Sequence, residues 1–343
     1  MSVYLDTRKK LLNNQFSWLI TGVAGFIGSH LLEALLSLNQ IVIGLDDFST
    51  GSLANLNTIR NRLPEEFANN FKLIKGDICS MVSCEEAMKG IDYVLHHAAM
   101  ASVPLSIKYP EKTHKINATA FMNLLQAAKN ARVKRFVYAS SSAVYGDSNQ
   151  FKKHEENPVF PVSPYAVTKY INELYARSFY QYYKLETIGL RYFNIFGPRQ
   201  SPDGAYAPVI PLWIEAMLKN EPVYINGDGG IVRDFCYIDN VIQANLLAAL
   251  GENKESTNRI YNIGCGQEVT LTQLITIMKK IINPANLRLV HREERIGDIK
   301  ISSADVSNAK KYLGFVPTTS LESGLIATIE YYKSLLEATR VVA

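Results

Sequence analysis

From Ser17 to Ser142 the chain alternates two textures: short β-branched runs (WLIT, IVIGLD, FKLIKGD, YVLHHAA, RFVYAS) and longer stretches of helical periodicity, such as FIGSHLLEALLSL and residues 111–131. Consecutive strands separated by helices run parallel, because a parallel neighbour is reached only through a crossover. This order predicts a doubly wound, Rossmann-type α/β sheet, extended by a helix over 163–184 and the strand ETIGLRY. Beyond Asn194, Pro and Gly punctuate shorter elements, GPRQSPDGAYAPVIP and YINGDGG, which predicts a smaller α/β lobe. No Ser/Gly/Pro-rich tether separates the two, so the lobe is expected to interleave with the sheet domain.

Composition narrows the possible partners. Hydrophobic residues make up 47% and charged residues 20%, which excludes a disordered chain. The net charge of +4 is small and dispersed, so no nucleic-acid partner is expected. The cysteines Cys79, Cys84, Cys236 and Cys265 form no CxxC pair, and the histidines show no HExxH spacing, so no metal is expected. The first sixteen residues carry charges where an export signal needs an apolar stretch, and they suit an amphipathic helix lying against the body. The longest apolar stretch, from Trp18 to Leu38, is broken by Gly22, Gly25, Gly28, His30 and Glu33, so no membrane span is expected. A cytoplasmic location follows as an expectation.

Three motifs carry chemistry. Gly22-Val-Ala-Gly25-Phe-Ile-Gly28 follows a strand and opens a helix, where glycines let backbone approach a pyrophosphate and the helix start offers unpaired N–H groups. Asp46 closes the second strand, placed to accept hydrogen bonds from an adenosine ribose and to repel a 2′-phosphate, which favours NAD over NADP. Tyr165 and Lys169 stand at i and i+4 on a helix and share a face. An ammonium nearby stabilises a phenolate and lowers its pKa from about 10. Tyr180 and Lys184 repeat the spacing, but only Tyr165 has an upstream hydroxyl run, Ser140-Ser141-Ser142, at a strand's carboxyl end. Hydroxyl, phenol and lysine beside a nicotinamide suit proton removal coupled to hydride transfer. Two arginines, Arg233 in VRDF and Arg295 in RIGD, could clamp a diphosphate with their forked donors.

In order and across nearly the whole chain, TGVAGFIG, Asp46, SSSAVYG, YAVTK, RYFN, VRDF and RIGD resemble the extended short-chain dehydrogenase/reductase family, and within it the UDP-hexose 4-epimerases. The resemblance implies bound NAD, a UDP-sugar substrate and a homodimer built through helices 111–131 and 163–184. It implies a helical extension over 1–16, an NAD-binding domain over 17–194 with returning segments near 230–265, and a UDP-sugar lobe over 195–343. It makes Tyr165 the base, Lys169 the ligand of the nicotinamide ribose that tunes Tyr165, Ser141 the partner of the reacting oxygen, and Asn117 a brace. By the same carry-over Gly22, Gly25, Phe26, Ile27, Gly28, Asp46, Ser49, Thr50, Gly51, Asp77, Ile78, Asn117, Tyr165, Lys169 and Tyr192 meet the cofactor. Ser102, Ser141, Ser142, Asn194, Gln200, Val209, Tyr224, Asn226, Arg233, Arg295, Asp298 and Ser302 meet the sugar nucleotide.

Related dehydratases and decarboxylases carry acids just after the catalytic hydroxyl, where this chain has Ser142 and Ala143, so a 4-keto sugar has no evident fate except reduction. Ser302, seven residues past Arg295, replaces a bulky Tyr of hexose-only enzymes and leaves room for an N-acetyl group. The expected substrate is therefore UDP-N-acetylglucosamine, as in O-antigen and capsule pathways. UDP-glucose and 2-acetamido uronic acids stay open, as does a non-catalytic NAD sensor.

Overall fold

The computed structural model describes residues 2–147, 150–202, 208–293 and 300–342. Among them, seven parallel strands form one sheet in the order Arg259–Ile263, Thr187–Tyr192, Arg135–Ser141, Tyr93–His96, Ser17–Thr21, Ile41–Asp46, Phe71–Lys75. The chain winds one way from Ser17–Thr21 and then the other way from Tyr93–His96. The crevice at that switch point is where such sheets hold ligands.

The two parts interleave, as the missing tether led us to expect. Arg259–Ile263, from late in the chain, completes the large sheet, while Lys152–Lys153 joins Ile301–Ala304, Val232–Arg233 and Val269–Thr270 in a small one. The helix Ile238–Leu250 is buried at every residue except Asp239, a mostly apolar rod packed against the sheet. At about 1.5–3 kcal/mol per fully buried large aliphatic side chain, such a rod fixes the late segment against the early sheet.

The helix Pro164–Tyr183 carries the Tyr165–Lys169 pair. Ser163 caps it, accepting from Ala166 N at 3.2 Å, and Pro164 occupies a first-turn position where a missing N–H costs nothing. It ends at Lys184 in a left-handed conformation (φ 58°). The repeated Tyr180–Lys184 spacing is therefore a helix terminus: the Lys184 amide donates to Tyr180 O, and its ammonium to Gln181 O.

The amino-terminal segment forms the helix Val3–Asn13, burying Thr7 and Leu11. Gln40, fully buried, ties it to the sheet. Its Nε2 donates to Leu11 O (2.8 Å), Asn14 O (3.0 Å) and Leu38 O (2.9 Å); its Oε1 accepts from Phe16 N (3.0 Å) and Trp18 Nε1 (3.2 Å). Gln40→Ala leaves these groups unpaired and is expected to lower the unfolding free energy by about 3 kcal/mol. The change would be read as a lower urea midpoint at unchanged slope. A loss under about 1 kcal/mol would show that water replaces the amide.

Candidate active site

The glycine turn after the first strand is built by close packing. Gly22 adopts φ +71°, and a Cβ there would stand 2.7 Å from Ala98 N; a Cβ on Gly28 would stand 2.1 Å from Gly22 O. Only glycine lets the turn close so tightly on the next strand. Gly25 caps the helix Phe26–Leu36 without a side chain, so the first-turn amides of Phe26, Ile27 and Gly28 have no acceptor within the helix. A bare helix start beside close-packed glycines fits a pyrophosphate.

Asp46 is 93% buried, with Oδ2 accepting from Ala24 N and Oδ1 from Phe48 N, both at 2.8 Å. Burial pushes its pKa up, and the two amides oppose that rise. The carboxylate thus shapes the glycine turn, and its remaining lone pairs could accept from a ribose. Ser49 and Thr50 follow in the open, and Gly51 lies against Asp46 and Ala24. Asn55, which the sequence did not single out, donates to Ala24 O at 3.0 Å and fixes the turn from the next helix. Asp77 is exposed, its carboxylate turned to Cys79 N at 2.8 Å, and Ile78 beside it is buried.

At the chemical end, Ser141 closes the strand Arg135–Ser141. Its Oγ accepts from Ala143 N at 3.1 Å, which leaves the hydroxyl proton free to turn toward the Tyr165 phenol. Tyr165 is held through its backbone by Ser106 Oγ at 3.1 Å. Lys169, 3% exposed, donates to Ala139 O at 2.8 Å, and its ammonium lies 5.9 Å from the centre of the Tyr165 ring. Burial raises the pKa of Tyr165 and Ser141 opposes it. The pKa of Lys169 falls to about 8, again through burial.

Asn117 sits in a π-helical turn, Lys115–Thr119, that interrupts the helix expected over 111–131. Its amide accepts from Met100 N (2.8 Å) and donates to Met100 O and Thr168 Oγ1 (both 3.1 Å). It thereby braces the loop after the fourth strand against the Tyr165 helix. The Tyr192 hydroxyl is bound by His97 Nε2 (3.0 Å) and Asn245 Nδ2 (2.8 Å), so it anchors a strand end. Ser102 caps the helix Val103–Lys108, accepting from Leu105 N at 3.2 Å, and Ser142 opens the 3-10 turn after Ser141.

The lobe gathers a second group. Arg233 and Ser302 are register partners on parallel strands, and Ser302 is 9% exposed. Asn194 donates to Asp234 O at 3.4 Å. Tyr224 and Asn226 lie on the strand Val223–Asn226; over the Tyr224 ring stands the Arg292 guanidinium, 3.4 Å from its centroid. Gln200 turns inward to Ile195 O (3.0 Å), and Tyr332 donates to its carbonyl. Val209 opens the helix Val209–Lys219. Arg295 and Asp298 lie outside the described residues.

Asp234, which sequence reasoning passed over, organises the junction. Fully buried, it accepts from Cys265 N (2.8 Å), Gly266 N (2.9 Å) and Ala304 N (3.1 Å). Its only signal in the chain is an acid inside an apolar strand, directly after Arg233. Among the described residues no group of three His, Cys, Asp or Glu could hold a metal ion, and no helix is long and apolar enough to cross a membrane.

Residues 18–264 match the Epimerase family, described as the NAD dependent epimerase/dehydratase family. The chain belongs to this family. A structure of the UDP-N-acetylglucosamine 4-epimerase from Methanobrevibacter ruminantium M1, in complex with UDP-N-acetylmuramic acid, superposes with a TM-score of 0.87 at 36% identity, over 94% of this chain and 99% of that one. The UDP-glucose 4-epimerase of Thermotoga maritima, solved with UDP-glucose, gives 0.86 at 36% identity, over 93% and 99%. The UDP-glucuronate 4-epimerase of Thermodesulfobacterium geofontis is 33% identical over 331 residues, 95% of this chain and 98% of that protein. NAD is thus the cofactor of this epimerase/dehydratase family member, and the glycine turn and Asp46 are the residues that fit it.

Three buried histidines predict a pH dependence. Burial, then the charge of Arg199, pushes His30 down to about 3; burial alone is the main cause for His97, also about 3, and for His96. Below pH 6.5 the unfolded chain takes up protons that the folded histidines refuse. Stability therefore falls with pH by about 1.4 kcal/mol per unit per histidine, down to the folded value. Urea unfolding at pH 6.5 and 5.0 should show this slope, and His30→Gln should flatten it by one histidine's share. A variant running parallel to the parent would contradict the assignment.

Proposed function

We propose that this protein is a UDP-sugar 4-epimerase that interconverts UDP-N-acetylglucosamine and UDP-N-acetylgalactosamine and works as a homodimer. The observation that carries the reaction is the placing of the Ser141 hydroxyl by the Tyr165 phenol, at a strand end whose next two residues, Ser142 and Ala143, bring no carboxyl group. When bound, NAD supplies the hydride acceptor and donor. Tyr165 takes the C4 hydroxyl proton and returns it to the epimeric oxygen. Ser141 donates to the same oxygen, and Lys169, carried on the turn after Tyr165, holds the cofactor's ribose. Without a second acid, nothing moves a C5 proton, so the 4-keto sugar returns to a carbinol.

Ser302 supports the 2-acetamido group: a small, buried hydroxyl beside Arg233 leaves volume where a tyrosine would fill it. The homodimer reading rests on the helix Pro164–Tyr183 and the segment before it. They leave Met122 and Leu174 exposed beside a groove of about 430 Å³ that His114, Ile171 and Tyr175 also line.

Purified protein, without added cofactor, should convert UDP-N-acetylglucosamine faster than UDP-glucose, followed through the anomeric protons by NMR. Ser302→Tyr should reverse that preference, lowering kcat/KM for the acetylated sugar by about tenfold or more. Faster conversion of UDP-glucose by the parent would overturn the pocket reading and keep the reaction. No conversion of either sugar, with NAD supplied, would overturn the reaction on neutral sugars.

A further inference from the structure

Ser140 and Arg191 are register partners on neighbouring strands, and one carboxylate holds both. Ser140 Oγ donates to Glu173 Oε1 at 2.6 Å. Arg191 closes a fork on the same carboxylate, Nε to Oε1 at 2.8 Å and Nη2 to Oε2 at 2.7 Å. The side chains of Arg191 and Glu173 are 4% and 5% exposed, so water solvates neither. The guanidinium also lies over the Tyr145 ring, 4.6 Å from its centroid, and the Tyr145 hydroxyl donates to Asn262 Oδ1 at 2.7 Å. Ser140 faces the Glu173 helix for a simple reason. Strand side chains alternate, and Phe136 and Tyr138 share an apolar cluster with Ala176 and Phe179 of that helix.

A buried ion pair is a poor source of stability, because desolvation offsets most of its attraction and apolar residues of like volume pack as well. It does fix geometry, since forked donors accept a carboxylate in one plane. The segments it joins are those that carry the reacting groups. One residue beyond the clamp on each strand stand Ser141 and Tyr192, again register partners. One helical turn before Glu173 is Lys169, and one turn before that is Tyr165. Tyr145 ends the 3-10 turn that begins at Ser142.

We propose that Glu173 and Arg191 are positioning residues: their buried fork, acting through Ser140, sets the distance between the Ser141 hydroxyl and the Tyr165 phenol. The proposal rests on the reading of Ser141 and Tyr165 as the proton-transfer pair. Glu173 acts on the helix that carries the phenol, and Arg191 acts on the strand beside the hydroxyl. Ser140 couples the two.

Ser140→Ala cuts the coupling and leaves the ion pair in place, so the protein folds; Ser140→Thr restores a hydroxyl. In the NAD-loaded protein, S140A should lose about tenfold in kcat, with KM for the UDP-sugar within about twofold and cofactor content unchanged. S140T should recover most of the rate. Glu173→Gln should lose at least as much in kcat. A readout that needs no turnover is the Tyr165 titration, followed by NMR with 13Cζ-labelled tyrosine. It should move to higher pH in S140A, because the Ser141 hydroxyl shifts away from the phenol oxygen whose pKa it lowers. Wild-type kcat together with an unmoved titration in S140A would overturn the proposal. So would a rate loss that tracks the thermal midpoint and is not rescued by S140T. If the parent interconverts no UDP-sugar, the reaction assigned above fails, and the phenol titration alone still decides the positioning claim.

Discussion

A parallel sheet delivers the carboxyl ends of all its strands to one edge, and the chemistry of this protein is gathered there because the strands end at Thr21, Asp46, His96, Ser141 and Tyr192. Each end is tied to its neighbour. Thr21 Oγ1 bonds His96 Nδ1 at 2.7 Å, Asp46 holds the glycine turn, Glu173 spans Ser140 and Arg191, and His97 meets Tyr192. The small lobe hangs from this edge through Asp234, whose carboxylate gathers amides from Cys265, Gly266 and Ala304. The winding order thus gathers these strand ends at one crevice, and buried polar groups with named partners hold them.

Burial also sets the electrostatics. The phenol of Tyr165 is pushed toward its neutral form, Lys169 is brought down to about 8, and His96 and His97 stay uncharged. In so dry a site a hydroxyl turned toward the phenol oxygen counts for more than it would in water. Where charge is retained it is tightly partnered. Burial works against the charge of Arg191, but the hydrogen bonds and charge of Glu173 more than offset it.

Much of this was legible in the chain because it depends on local rules. Alternating periodicities dictate the crossover sheet, a glycine turn after a strand dictates a bare helix start, and the missing tether dictates interleaved lobes. The i, i+4 spacing placed Tyr165 and Lys169 on one helix face, and the hydroxyl run separated them from Tyr180 and Lys184, which form a helix terminus. What stayed hidden needs distant segments to meet. Ser140, Glu173 and Arg191 come from a strand, a helix and the next strand; nothing in their spacing announces a shared carboxylate. Asn117 looks like an ordinary helical residue until a π turn swings it onto Thr168 and Met100. The sign of the pKa shift at Tyr165 could not be read at all, because spacing shows which charges are near and not how deeply they are buried.

The account turns on a proton-transfer pair that serves a hydride leaving C4 of a sugar and returning to the same carbon. The most direct measurement follows a UDP-sugar deuterated at C4 through many turnovers, in the presence of excess unlabelled NADH. The account predicts that both epimers keep deuterium at C4, since the cofactor stays bound while Tyr165 holds and returns only the hydroxyl proton. Loss of label to solvent or to the added cofactor would contradict it.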